Sequence, residues 1–253
     1  MTPTPPAPDY EKKIIESFSR HVGSYERHAQ LQRSMAERLA TFLPPALPEP
    51  VLEIGCGTGL FTRHLLAHGT GKLILNDIAP AMTDSLRDHH VLPDGCQVEV
   101  GNAETLKFPE VGLIAGNAVF QWFREPAKTL RHFSKILKKD GFLLFNTFGS
   151  KTLGEFRETG SLGSPNLLLT AEDWEGFLED SGFKILRQEV EERQMFFRNT
   201  RDLLRNLQQI GAAPFQLMKP GDLRSLIKNY DREFQTPQGV YTHWELFYFL
   251  AQK

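Results

Sequence analysis

The sequence predicts an α/β fold: a parallel, doubly wound sheet covered by helices on both faces. Short apolar runs recur near residues 51–54, 72–76, 97–100, 111–116 and 141–147. Helical stretches near 60–68, 80–88 and 125–138 separate them, and strands interleaved this way build sheets buried on both sides. The first run, Val51-Leu52-Glu53-Ile54, leads into alternating glycines at Gly55, Gly57 and Gly59 and then into the first of those helices. A strand–glycine turn–helix opens the first unit of ligand-binding α/β folds.

Ahead of the sheet, residues 11–45 form an N-terminal helical segment, since Ile14, Ile15, Phe18, Leu31, Met35, Leu39 and Phe42 fall at helical spacing. Gly23-Ser24 predicts a break in it and Pro44-Pro45 its end. Residues 1–10, rich in Pro, are expected to be a flexible arm rather than a signal peptide. Later, Asp140-Gly141 is a turn into the fifth strand, and Thr170 with Asp173 forms a capping box for a helix ending at Gly182. A strand over 183–192, helices near 200–210 and 220–230, and a last strand over 244–250 complete the chain. Residues 46–253 thus make one domain, with 148–170 and 199–238 expected as helical lid elements over the carboxyl edge of the sheet, where ligands bind.

With 40% hydrophobic and 24% charged residues the composition is that of an ordinary globular protein. A net charge of -2 gives no general attraction to nucleic acid. No apolar run is long enough to span a bilayer. Cys56 and Cys96 form neither a disulfide framework nor a C-x-x-C pair, so a reducing, cytoplasmic setting is expected. His64 and His68 lie one helical turn apart with no third ligand, and no metal is expected.

The glycine turn carries the chemistry. In dinucleotide-binding folds the third glycine comes one residue later and a pyrophosphate sits on the helix N-terminus. Here Glu53 lies two residues before Gly55, and its carboxylate suits a cationic ligand while repelling a pyrophosphate. S-adenosylmethionine, with a sulfonium and an ammonium but no phosphate, fits that charge. Asp77 closes the second strand roughly 20 residues on, where a carboxylate can accept from ribose hydroxyls; it could equally cap the helix near Pro80.

Glu53 to Gly59, Asp77-Ile78-Ala79-Pro80, and Gly101-Asn102-Ala103-Glu104 with Leu106 and Phe108-Pro109 together resemble the class I S-adenosylmethionine-dependent methyltransferases. The resemblance implies a seven-stranded Rossmann-like sheet whose last strand is antiparallel. It also implies a cofactor site made by Glu53, Gly55, Gly57, Gly59, Asp77, Ile78, Asn102, Ala103 and Asn117. Asn102 departs from the usual Asp, yet its amide oxygen can still accept from the adenine amine.

The ends of the chain add a closer resemblance. Phe18-Ser19-Arg20, Tyr25 to Gln32, Asn117 to Trp122, Phe148 to Leu153, residues 207–212 and Tyr241 to Trp244 look like the malonyl-[acyl-carrier-protein] O-methyltransferases of biotin synthesis. What this implies is methyl transfer to a malonyl carboxylate on an acyl carrier protein, with Tyr25, Gln121, Trp122 and Arg157 as catalytic residues. Such a carboxylate is ionised at neutral pH, its ordinary pKa being near ~4, and needs no general base. Arg20 and Arg198 are further candidates to meet it, and Phe120, Phe123 and Phe148 read as packing. An acidic carrier protein would dock on Arg198, Arg201 and Arg205. Other readings remain open: a methyltransferase of another small carboxylate, a respiratory-complex assembly factor with this fold, or, less compatible with Glu53, a nicotinamide enzyme.

Overall fold

A computed structural model describes residues 9–159, 168–211 and 219–253. Residues 1–8 of the expected arm, and residues 160–167 and 212–218 of the two expected lid elements, lie outside the described residues.

The chain enters through α1 (Tyr10–His28) and α2 (Gln30–Ala40). It then alternates: β1 (Val51–Ile54), α3 (Thr62–Ala67), β2 (Leu73–Asp77), α4 (Pro80–His89), β3 (Gln97–Val100) and β4 (Val111–Gly116). A single 3-10 turn, Phe120–Trp122, precedes α5 (Pro126–Ile136), β5 (Leu137–Phe148) and α6 (Gly154–Glu158). The remainder is α7 (Ala171–Asp180), β6 (Lys184–Phe197), α8 (Thr200–Gln209), α9 (Pro220–Phe234), β7 (Gln235–Thr236) and β8 (Gly239–Gln252).

The strands lie in the order β3-β2-β1-β4-β5-β8-β6, with short β7 hydrogen-bonded to β8. The pairs among β1 to β5 are parallel, and β8 runs antiparallel between β5 and β6. This is the mixed Rossmann-like sheet that the sequence implied. Strand order reverses between β1 and β4, so a crevice opens beyond their carboxyl ends.

Alternation along the strands sends side chains into two cores. Val51, Leu144 and Tyr248 face the layer that holds Met35, Leu39 and Phe61. Their neighbours Leu52, Leu143, Phe145 and Phe249 face the layer of Phe120, Phe133 and Trp174. Thr170 and Asp173 form the capping box at the start of α7, each accepting from the other's backbone N–H.

Several boundaries differ from expectation. Helix α1 runs straight through Gly23-Ser24 and breaks only at Ala29. A glycine in mid-helix costs only about 1 kcal/mol, and packing against α4 and α8 outweighs that. Ser24 adds a hydrogen bond from its hydroxyl to Gln209 Oε1 at 2.6 Å. Strand β5 begins at Leu137, taking the end of the expected helix; Asp140, at φ 59, turns the chain within the strand instead of starting it. Strands β6 and β8 are both longer than expected because they pair with each other from Lys184↔Gln252 to Phe197↔Val240. Strand β7 and the turn at Gly239 (φ 111) had no counterpart in the sequence reading. Among the described residues no helix is long and apolar enough to cross a membrane, and no cluster of three or more His, Cys, Asp or Glu could hold a metal ion.

Candidate cofactor and active site

The glycine turn after β1 takes left-handed backbone angles, φ 65 at Gly55, 55 at Gly57 and 97 at Gly59, which favour glycine. The three glycines have different surroundings. A Cβ on Gly55 would lie 2.5 Å from Val119 Cγ2, and one on Gly59 2.5 Å from His90 Nε2. At Gly57 no atom lies within 4 Å of that position. Two of the glycines permit close packing, and Gly57 leaves bare main chain facing open space.

That space is an open cleft of about 800 Å³, the solvent at its mouth included. Asp77 forms one wall. Its Oδ2 accepts from Gly57 N–H at 2.9 Å and its Oδ1 from Ala79 N–H at 2.8 Å, so it ties the turn to the start of α4. Burial raises its carboxyl above the usual range, while these N–H groups pull it down. Glu53, 1% exposed, sits behind the turn and accepts from Thr62 Oγ1 at 2.7 Å. Burial pushes it up to about 8, against the Thr62 bond and with a further rise from Asp77. Burial thus holds both carboxyl groups toward their neutral forms, and a cation in the cavity beside Asp77 would draw them back toward the charged form.

Asn102 also lines the cavity. Its Oδ1 accepts from Glu104 N–H at 2.9 Å and its Nδ2 donates to Glu11 Oε2 at 3.3 Å. Glu104 accepts from the backbone N–H groups of Arg124 and Glu125 and from Thr129 Oγ1, and so supports the N-terminus of α5. Helix α1 covers the cavity with Tyr10, Ile14, Phe18 and Tyr25. Phe18 packs edge-on against Trp122, ring centroids 5.6 Å apart, and against Tyr25 at 6.2 Å. Burial, then the charge of Asp77, raises the Tyr25 phenol well above its ordinary value and keeps it neutral.

A family model described as a methyltransferase domain matches residues 25–217. Malonyl-[acyl-carrier protein] O-methyltransferase of Bacteroides thetaiotaomicron is 31% identical, over 95% of this chain and 97% of the relative. The protein of that name from Porphyromonas gingivalis is also 31% identical, over 94% of each chain. The chain belongs to the malonyl-[acyl-carrier protein] O-methyltransferase family. Among solved structures, a Haemonchus contortus phosphoethanolamine N-methyltransferase bound to S-adenosylhomocysteine shares the fold. Its TM-score is 0.60 at 18% identity, covering 95% of this chain and 60% of that one.

The cofactor of this methyltransferase is S-adenosylmethionine. The residues present fit it, because the side-chain-free surface at Gly57 answers its bulk and the Asp77 carboxyl on the cavity wall answers its positive charge. Of the residues singled out from sequence, the cavity brings together Gly55, Gly57, Asp77, Ile78, Asn102, Ala103, Asn117, Tyr25 and Trp122. Glu53 and Gly59 stand behind it, as described.

Gln121 is 6% exposed and braces the chain: its Nε2 donates to Ala118 O at 2.6 Å and its Oε1 accepts from Thr147 at 3.3 Å. Ala118, at φ 52, needs such support. Arg157 lies on α6, away from the cavity walls, with its guanidinium on the carbonyls of Thr152 and Ser150 at 3.0 and 2.7 Å. Arg20 is exposed on α1. Asn117 enters a buried amide network: Asn146 donates to Asn117 Oδ1 at 2.8 Å and to Met35 O at 3.1 Å, and accepts from Ala118 N–H at 2.7 Å.

Sequence reasoning missed Tyr10, Glu11, Ile14, Met82, Glu104 and Arg124 as cavity residues, and took Phe123, which also lines it, for packing. Their signal was weak: Tyr10 and Glu11 stand at the boundary drawn for the arm, and Met82 has the helical spacing of any core residue.

Proposed function

We propose that this methyltransferase transfers a methyl group from S-adenosylmethionine to the free carboxylate of a malonyl thioester on acyl carrier protein, an early step of biotin synthesis in the cytoplasm. The relationship over nearly the whole chain to enzymes named for that reaction carries the proposal. A further relative, 28% identical over 96% of this chain, is named biotin biosynthesis bifunctional protein.

The bound cofactor supplies an electrophilic methyl group on a sulfonium. The chain's own part is then binding, alignment and exclusion of water. In this reading Gly55, Gly57, Asp77, Ile78, Asn102, Ala103 and Asn117 hold the cofactor, while Glu53, buried behind the turn, ties β1 to the start of α3 through Thr62. Tyr25 and Trp122 wall the space where the carboxylate approaches, with the neutral Tyr25 hydroxyl as its hydrogen-bond donor. Alignment alone supplies roughly 7–11 kcal/mol in well-oriented reactions. The substrate carboxylate is already ionised, so no side chain is asked to remove a proton. Gln121 and Arg157 act through the backbone they hold, Gln121 on Ala118 and Arg157 on the loop after β5. The segments 148–170 and 199–238 are proposed as the substrate-covering elements of the 46–253 domain, with the 11–45 segment closing the cofactor side.

Arg198, Arg201 and Arg205 remain the proposed docking face for the acidic carrier. Asp202 lies 3.8 Å from Arg198 and 2.9 Å from Arg205 and offsets both, which leaves Arg201 as the strongest contributor. Steady-state methyl transfer with malonyl and acetyl thioesters of carrier protein, and with malonyl-coenzyme A, tests the reading. Turnover is expected with the malonyl thioesters only, and Arg201→Glu is expected to lower kcat/KM for the carrier substrate and not for the coenzyme A thioester, since surface charge acts mainly on encounter. Equal loss on both substrates would remove the docking assignment. Cofactor binding with no turnover on any of them would favour an assembly factor.

A further inference from the structure

Asp77, at the end of β2, marks where ribose hydroxyls would bind, so the nucleobase of the cofactor lies beyond it from the glycine turn. The cavity there has apolar walls in Ile78, Met82, Ala103 and Phe123, suited to a flat ring. Its polar lining includes Asn102 and Glu11, with Glu104 and Arg124. Asn102 and Glu11 are bonded, Asn102 Nδ2 to Glu11 Oε2, and Glu104 N–H takes Asn102 Oδ1. These bonds fix the amide: turned over, it would set its oxygen against the Glu11 carboxylate and its NH2 against the Glu104 N–H. At this rim, therefore, the loop after β3 contributes an amide oxygen with one of its two lone pairs taken by Glu104 N–H, and α1 sets the Glu11 carboxylate beside it as a second acceptor.

We propose that the Glu11 carboxylate accepts a hydrogen bond from the exocyclic amine of the cofactor's adenine ring, making the first turn of α1 the element that reads the base. The inference rests on the assignment of the cavity to S-adenosylmethionine. Glu11 has capacity for it, because a carboxylate offers several acceptor positions and Asn102 takes one. Recognition of the base thereby requires α1 to be seated over the cavity, and α1 also carries Tyr10, Phe18 and Tyr25.

Calorimetry with S-adenosylhomocysteine and with its analogue lacking the 6-amino group, on wild type and on Glu11→Ala, isolates the contact as a double-mutant cycle. Loss of the amine is expected to weaken binding to wild type about tenfold, the low end for a hydrogen bond to a charged group at an exposed rim. In Glu11→Ala the same loss is expected to be about twofold or less, and the analogue is expected to bind both proteins alike, which also reports that the variant is folded. Glu11→Gln, which keeps an acceptor oxygen, recovers part of the discrimination. The same tenfold loss in wild type and Glu11→Ala, or none in wild type, overturns the assignment. No binding of S-adenosylhomocysteine to wild type overturns the cofactor assignment itself, and this inference with it.

Discussion

Alanine at Gly57 separates ligand binding from folding. The substituted residue keeps its N–H, so the 2.9 Å bond to Asp77 Oδ2 persists. Its Cβ meets no protein atom within 4 Å, and the folding cost is the left-handed backbone alone, about 1–2 kcal/mol for a residue with a side chain. For a chain of this size each kcal/mol lowers Tm by about 2–4 °C, so a fall of about 2–8 °C is expected. The methyl group does enter the space assigned to the cofactor. Overfilling a packed site costs about 1–3 kcal/mol, which is ~5- to 150-fold in affinity. Gly55→Ala is the contrast: its Cβ would lie 2.5 Å from Val119 Cγ2, so its damage falls first on the fold. Calorimetry with S-adenosylhomocysteine beside thermal melts reads both quantities. Wild-type affinity in a well-folded Gly57→Ala protein would show that the ligand does not lie against the bare main chain, and the site as described would be wrong.

Two other perturbations address the interior. Glu53 is held at about 8 against an ordinary 4.5. Between those values the folded chain binds a proton that the unfolded chain has released, so stability falls as pH rises from about 4.5 to 8 and levels above it. Complete realisation of the shift gives at most roughly 5 kcal/mol; denaturant melts of the ligand-free protein across that range should show the decline and Glu53→Gln should flatten it, while equal slopes would contradict the assignment. Asn146→Ala strands Ala118 N–H and Asn117 Oδ1, while the Met35 carbonyl, inside α2, loses only a second donor; a loss of about 2–4 kcal/mol in urea unfolding is expected, and a loss below about 0.5 kcal/mol would mean that water replaces the amide at little cost.

Most of the fold could be read from residue pattern because its central strands are apolar runs buried on both faces, bounded by glycine or polar turns, as at Val51–Ile54 and Val111–Gly116. The outer pair resisted such reading. Strand β6 continues past its expected end at Glu192 through Arg193 and Gln194 to Phe197, and that added length comes from pairing with β8, distant in sequence. Gly23 misled for the opposite reason: its local preference for a break is smaller than the packing of α1 on its neighbours. In the site, the glycine turn and Asp77 announce themselves by spacing. Glu11 does not, since an acidic residue in a first helical turn is ordinary and only the tertiary approach of α1 to Asn102 gives it meaning. Gln121 and Arg157 were drawn toward catalysis by their neighbours in sequence; Gln121 bridges the Ala118 carbonyl and the Thr147 hydroxyl, and Arg157 holds the Thr152 and Ser150 carbonyls.

Incubation of the protein with methyl-labelled S-adenosylmethionine and malonyl-acyl carrier protein, followed by mass spectrometry of the carrier, bears most directly on the account as a whole. One labelled methyl group on the malonyl moiety, released by a carboxylesterase, is the predicted result. Label on the carrier polypeptide itself, or an unmodified carrier in the presence of bound cofactor, would contradict it.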